Sequence, residues 1–292
     1  PWIQWASIHS GLEYKDHKIF RLGDAVTKKQ KSIFELIEKN GYSVGAISPM
    51  NVANRLENPK FFIPDPWTNT KADNSWISQF VHAAIRQLVN DNSSGKIKFS
   101  SFLRLFFVGF VLLKINDFFK IFFCLIKVRL GKRWFKVLAF DFFLSEIFLQ
   151  LNKKYNPDFS VLFLNGGAHI QHHYLLSSSL FNKKSINKNP VWYIKENEDP
   201  IKDLLIEYDK VVQKIIEGND KNKIIICTGL TQEKTKHNVF YYRLIDHEKF
   251  LKKMGVNFCE LEPRMSRDFL VKFLNESYRN KAYDILSNIY VN

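Results

Sequence analysis

Three histidines fall within five positions in the stretch Ser160 to Tyr174, SVLFLNGGAHIQHHY: His169, His172 and His173. Imidazole changes charge readily near neutrality and is a frequent metal ligand. His169 and His172 are three positions apart and His169 and His173 four, spacings that share one face of a helical turn. Two imidazoles so placed can ligate a divalent cation, zinc foremost, with a further ligand from elsewhere. One of them can instead serve as acid, base or hydrogen-bond donor to a phosphate. A third use is packing or capping of the helix itself.

The elements around this stretch explain why such residues would meet a ligand. The apolar run before Asn165-Gly166-Gly167 reads as a strand that ends in a turn, the place where α/β proteins put ligands and catalytic groups. Asn165 before the histidines and Gln171 among them are polar candidates for the substrate.

Upstream, Thr27 to Asn40 reads as an amphipathic helix with Gly41 just past its end, and Tyr42 to Ser48 as a strand. Asn51 to Ala72 reads as irregular, and Ser75 to Val89 as a helix. Downstream, Asp199 to Ile216 reads as a helix and Lys223 to Thr228 as a buried strand. Asp246 to Lys253 reads as a short helix stopped by Gly255, with Asp246 as its cap. Val256 to Leu261 reads as a strand, and Arg267 to Asn275 and Tyr278 to Ile289 as closing helices. Helix alternating with strand predicts an α/β fold, a doubly wound, mostly parallel sheet flanked by helices. We expect one such domain across residues 1–292, with a hydrophobic helical insert at about 100–151.

That insert contains FLRLFFVGFVLL, DFFKIFFCLIKVRL and WFKVLAFDFFLSEIFLQL. Its longest uncharged run, Leu105 to Leu113, is far short of the roughly 20 residues that span a bilayer. It reads as two or three helices broken near Gly131. They either pack on the sheet or cap a membrane surface.

The chain of 292 residues is 46% hydrophobic, enough for a substantial core, and its net charge is +14. A basic surface suits anionic partners: phosphate or sulfate esters of small molecules, glycans or lipids, and membrane surfaces. No compact Arg-rich block or aromatic RNA-binding signature appears, which argues against specific nucleic-acid recognition. Cys124, Cys227 and Cys259 are scattered, with no CxxC, which argues against a thiolate zinc site or a disulfide framework and favours a reducing, cytoplasmic or membrane-peripheral setting. The chain begins at Pro1 and reads as part of a longer protein.

Its opening, PWIQWASIHSGLEYKDHKIF, resembles the alkaline phosphatase superfamily in its phosphodiesterase and nucleotide-pyrophosphatase-like branch. Ser10-Gly11 stands where that branch has Thr-Gly, and His17-Lys18-Ile19 where it has His-Gly-Ile. The resemblance implies a Thr or Ser nucleophile before Pro1 and metal ligands at strand ends. His172 keeps a metal-binding role on that alignment. Ala168 stands where an Asp is expected, and Thr228-Gly229 where an Asp-His pair is. Two close divalent cations need anionic ligands, which these neutral residues do not supply.

Asn51 follows one strand. Asp65 lies between Pro64 and Pro66, either as a rigid pocket wall with one carboxylate or as a surface turn with an Asx-type bond. Arg243 can clamp an anionic group. His9 and His82 read as packing histidines. Together these features predict a phosphodiesterase-like or sulfatase-like hydrolase with a divergent metal site on His169, His172 and His173. Its substrate would be held by Asn51, Asp65, Asn165, Gln171 and Arg243. The alternative is a non-catalytic anion- or glycan-binding descendant of the same fold, in cell-surface polysaccharide or lipid metabolism.

Overall fold

The computed structural model describes residues 2–90, 98–180, 189–218, 223–228, 244–263 and 268–290. Helix and sheet are mixed, an α/β chain in which helix predominates. It divides into two compact units, Pro1–His82 with Arg104–Asn238, and Ala83–Leu103 with Val239–Asn292.

The first unit opens with α1 (Trp2–Ser10), α2 (Tyr14–His17) and α3 (Ile33–Lys39), followed by β1 (Val44–Ile47) and β2 (Phe61–Ile63). Two helices, α4 (Trp76–Asn90) and α5 (Phe99–Leu112), carry the chain out of this unit and back. Then come α6 (Ile115–Arg129), α7 (Phe135–Tyr155), β3 (Phe159–Leu162), α8 (Gly166–Tyr174) and α9 (Pro200–Glu217). The three strands form one parallel sheet in the order β2-β1-β3. β1 is buried along its whole length, as expected for a parallel strand covered on both faces.

Side-chain alternation sorts the two faces. Val44, Ala46 and Phe62 pack around Phe34 of α3, with Phe159 and Val161 beside them. On the other face Phe61 meets Phe148 of α7 edge to face at 6.2 Å. Gly45 lies opposite Phe61 in register, and a Cβ there would come within 2.5 Å of the Phe61 ring. Glycine at that position is a packing requirement.

The expected helix from Thr27 to Asn40 is shorter: α3 covers only Ile33–Lys39, and Asp24–Thr27 form a separate 3-10 turn. Glu35 accepts the backbone N–H of Ser32 at 2.7 Å, a capping arrangement that starts the helix there. Ahead of it the carbonyls of Ala25, Lys28 and Gln30 receive the Arg55 guanidinium. β2 lies in the stretch expected to be irregular, a three-residue strand between Pro59 and Pro64. The hydrophobic insert forms three helices, α5, α6 and α7, with Gly131 at φ 98 in the break between the last two.

The run Lys223 to Thr228, expected as a buried strand, is neither. It forms no ladder, and Ile225 is 83% exposed. Among the described residues no strand pairs with it, and Ile224 and Ile226 are exposed as well.

The second unit holds α10 (His247–Lys253), the antiparallel pair β4 (Glu260–Pro263) and β5 (Phe269–Lys272), and α11 (Glu276–Ser287). Asp246 caps α10 through the N–H of Lys249, and Gly255 takes φ 74 after it, both as expected. The strand expected over Val256 to Leu261 begins only at Glu260. Pairing with β5 sets its start, and Val256 is drawn into a small core with Leu251 and Ala282. Within the stretch Arg267 to Asn275, expected as a helix, Phe269–Lys272 form β5 instead, with exposure that alternates residue by residue. A period of two rather than 3.6 governs Phe269-Leu-Val-Lys, and the antiparallel partner fixes it.

Candidate functional site

The C-terminal ends of β1, β2 and β3 bring several of the predicted residues to one edge of the sheet. After β1 the chain turns through Ser48 at φ 57 and Asn51 at φ 58. The Asn51 side chain accepts the N–H of Gly23 at 3.0 Å and donates to the carbonyl of Arg21 at 3.3 Å. After β2 comes Asp65, fully buried rather than on a surface turn. One of its oxygens accepts the Asn51 N–H at 2.7 Å and the Thr68 hydroxyl at 2.6 Å. The other accepts the N–H groups of Trp67 and Thr68 at 2.8 and 2.9 Å. Burial pushes the Asp65 carboxyl up from its ordinary value, while these donors pull the other way. Asn51 and Asp65 therefore stitch the β1 and β2 loops together.

The β3 end is built differently. Asp141 projects from apolar α7, fully enclosed, and accepts the backbone N–H of Gly166 at 2.8 Å. It also receives the Tyr208 hydroxyl from α9, and that hydroxyl in turn accepts the N–H of Gly167 at 3.0 Å. The first two amides of α8 are thus satisfied by the protein's own carboxylate and phenol. Burial pushes Asp141 up to about 6 and holds Tyr208 well above its ordinary value, so the phenol keeps its proton and donates it. A Cβ on Gly166 would fall 2.2 Å from the Asp141 oxygen. Asp141 and Tyr208 escaped sequence reasoning. The available signal was a lone carboxylate inside the otherwise apolar AFDFF run.

On α8 the histidines separate into a pair and a neighbour. The rings of His169 and His173, one turn apart, stand 4.8 Å apart, and all three imidazoles, His172 included, are exposed. The Tyr193 hydroxyl lies 2.8 Å from Nδ1 of His173, and the Tyr174 and Tyr193 rings stand 5.5 Å apart. The hydroxyl contact engages Nδ1 and leaves Nε2 as the His173 nitrogen available to a ligand. Desolvation, then the imidazoles of His173 and His172, then Lys136, push His169 down to about 4. Desolvation, then His172, lowers His173. Every charged neighbour that acts on this pair is a cation or a group that becomes one.

Among the described residues, no three His, Cys, Asp or Glu side chains form a group that could hold a metal ion. The buried carboxylates Asp65 and Asp141 are already engaged, and Ala168 on α8 supplies no side-chain ligand atom. The described residues do not fit a two-metal centre. Asn165 stands before α8 without a side-chain capping bond, and Gln171 is half-buried on the helix. Arg243 lies outside the described residues, as do Gly229 and the segment from Gln232 to Tyr242.

Elsewhere in this unit, His17 accepts the Ile19 N–H at Nδ1 (2.9 Å), so Nε2 carries the proton toward Ser7 Oγ at 3.0 Å. That tautomer gives Ser7 a donor and not a base. His9 is buried, packs between Trp5 and Phe34, and is pushed down to about 4 by burial, a packing role as expected. It lines a cavity of about 30 Å³ with Ser10, Gln30 and Asn51, room for a water and far too little for an ester substrate. A larger groove of about 310 Å³ lies at the opposite, N-terminal ends of β1 and β2, lined by Ser43, Lys60 and Glu38. No family model, curated protein or solved structure matches the chain.

Proposed function

We propose that this chain handles phosphate or sulfate esters in an alkaline phosphatase-like domain, and that the His169–His173 face of α8 receives the anionic group. The observation that carries the reading is the paired imidazoles at 4.8 Å with only cationic or imidazole neighbours acting on His169. Such a pair repels protons when empty. An anion would reverse that balance and accept charge-assisted hydrogen bonds from both rings.

Each part of the face has a role in this reading. Tyr193 engages Nδ1 of His173 and leaves Nε2 for a ligand, while Lys136 adds positive potential. The Asp141–Tyr208 clamp fixes where α8 begins, so the two rings are held on a rigid element. The substrate class is an ester of a small molecule, glycan or lipid, and the parallel strands are the centre of a doubly wound sheet. Helices on both faces of β1 support that architecture. Metal is not required for binding of this kind. The His169–His173 pair could contribute two ligands of suitable spacing to a single zinc ion, and binding measured with and without EDTA separates the two cases.

Hydrolysis is the second reading. Its supporting observation is Lys18, which takes φ 53, the left-handed conformation suited to the glycine of the family's His-Gly-Ile signature. The resemblance puts the nucleophile before Pro1. Turnover of bis(p-nitrophenyl) phosphate or p-nitrophenyl sulfate by the full-length protein tests this second reading. Saturable binding without turnover leaves the first reading standing and removes the second.

A further inference from the structure

Helix α6 is apolar on two opposite faces, and only one of them is packed. Ile121, Cys124 and Val128 face the core formed with Trp134, Phe135 and Leu138. At about 100° per residue, Ile115, Phe119, Phe122, Phe123, Ile126 and Leu130 fall on the other side, within roughly 100° of arc. That side is bare: Phe119, Phe122 and Phe123 are 52, 56 and 58% exposed, and Leu130 is 73% exposed. The preceding helix adds Phe106, Phe107 and Phe110, also exposed. A soluble surface does not ordinarily carry so many contiguous phenylalanines without a partner.

The charges around this stripe select the partner. Residues 104–136 contain eight basic side chains and one acidic one, Asp117. Asp117 is buried and paired with Lys214 at 2.6 Å, so it adds no negative charge to the exposed side. On the helical wheel Lys120 and Lys127 border one flank of the stripe and Arg129 the other, with Lys114 just before the helix. Long basic side chains beside a phenylalanine stripe match an anionic lipid surface, with rings among the acyl chains and ammonium groups at the phosphates. Among the described residues no helix is long and apolar enough to cross a membrane. A lipid surface would be met from one side.

We propose that the exposed face of α6, continued by α5, docks this protein on anionic membranes. This rests on different residues from the His169–His173 reading and does not depend on it. The test is co-sedimentation with phosphatidylcholine vesicles with and without about one-third phosphatidylglycerol, a share that gives a strong negative surface potential. The protein is expected to partition onto the anionic vesicles at least about tenfold more strongly, and less so as salt rises. The triple variant Phe119→Ser, Phe122→Ser, Phe123→Ser is expected to lose at least about tenfold while its circular dichroism stays unchanged, because the three rings are exposed. The more conservative Lys120→Gln, Lys127→Gln variant leaves the rings in place and is expected to lose the preference for anionic lipid. Absence of binding to anionic vesicles overturns the proposal. So does self-association that hides this face, seen by sedimentation velocity without vesicle binding. Vesicle binding that survives the Phe substitutions and is lost in His169→Ala also overturns it, by moving the lipid contact to α8.

Discussion

The carboxylate of Asp141 accepts the backbone N–H of Gly166 at 2.8 Å, so a buried acid on one helix holds the first amide of the helix that carries the histidines. Gly166 leaves no room for a side chain, since a Cβ would stand 2.2 Å from that same oxygen and 3.1 Å from Val137. Gly166→Ala should therefore destabilise the first unit by about 2 kcal/mol or more, through overpacking and a displaced hydrogen bond. Urea denaturation is the measurement. Within the same pair, Asp141→Asn keeps an acceptor but removes the titration. Burial raises the folded-state value to about 6, against roughly 3.9 for an unfolded chain. The folded state thus binds the proton more tightly. The wild type loses stability as pH rises through about 4 to 6, and the full cost stands above that. Between pH 4.5 and 7.5 the loss from this group is about 2 kcal/mol, and Asp141→Asn should abolish that part of the pH dependence.

Lys214 of α9 reaches both Asp117 of α6 and Glu146 of α7, and both acids are buried. Burial raises Glu146 from its ordinary value while Lys214 pulls it down. Lys214→Met would leave two carboxylates buried without their cation. The expected loss is about 3–5 kcal/mol at neutral pH, partly recovered on acidification as the carboxylates take up protons. Thermal unfolding at pH 7 and pH 5 checks both parts.

The sequence made some of this legible and hid the rest for identifiable reasons. The pairing of His169 with His173 was readable because helical spacing alone puts them on one face. Gly41, Gly131 and Gly255 were readable as element breaks because each needs a positive φ. Asp141, Tyr208 and Lys214 were not readable, because their partners lie 25 to 97 positions away and only tertiary packing joins them. Phe269-Leu-Val-Lys was misread as helix, since four residues carry too little periodicity without the partner strand. Pro-Asp-Pro leaves Asp65 open as a rigid pocket wall or as a surface turn, and the structure buries it while keeping the Asx-type bond to Trp67. Nothing within the Pro-Asp-Pro turn shows that Asn51, fourteen positions earlier, closes over it.

Anion binding at His169 has a pH signature. The free pair is neutral near pH 7, with His169 held at about 4. A bound anion raises that value, so binding takes up a proton and tightens as pH falls. Sulfate, which keeps its charge across this range, should bind at least about fivefold more tightly at pH 5 than at pH 7. His169→Gln should flatten the dependence. Calorimetric titration at the two pH values measures it.

The most direct measurement is a histidine side-chain NMR titration of the EDTA-treated protein with sulfate and with phenyl phosphate, repeated on His169→Ala. The predicted result is a single saturating curve shared by the His169 and His173 resonances, with His17, buried and hydrogen-bonded at both nitrogens, unmoved. His169→Ala should weaken binding by about tenfold, the worth of one charge-assisted hydrogen bond. No saturable shift, or the same curve in His169→Ala, would contradict the assignment of the α8 histidine face as the anion site.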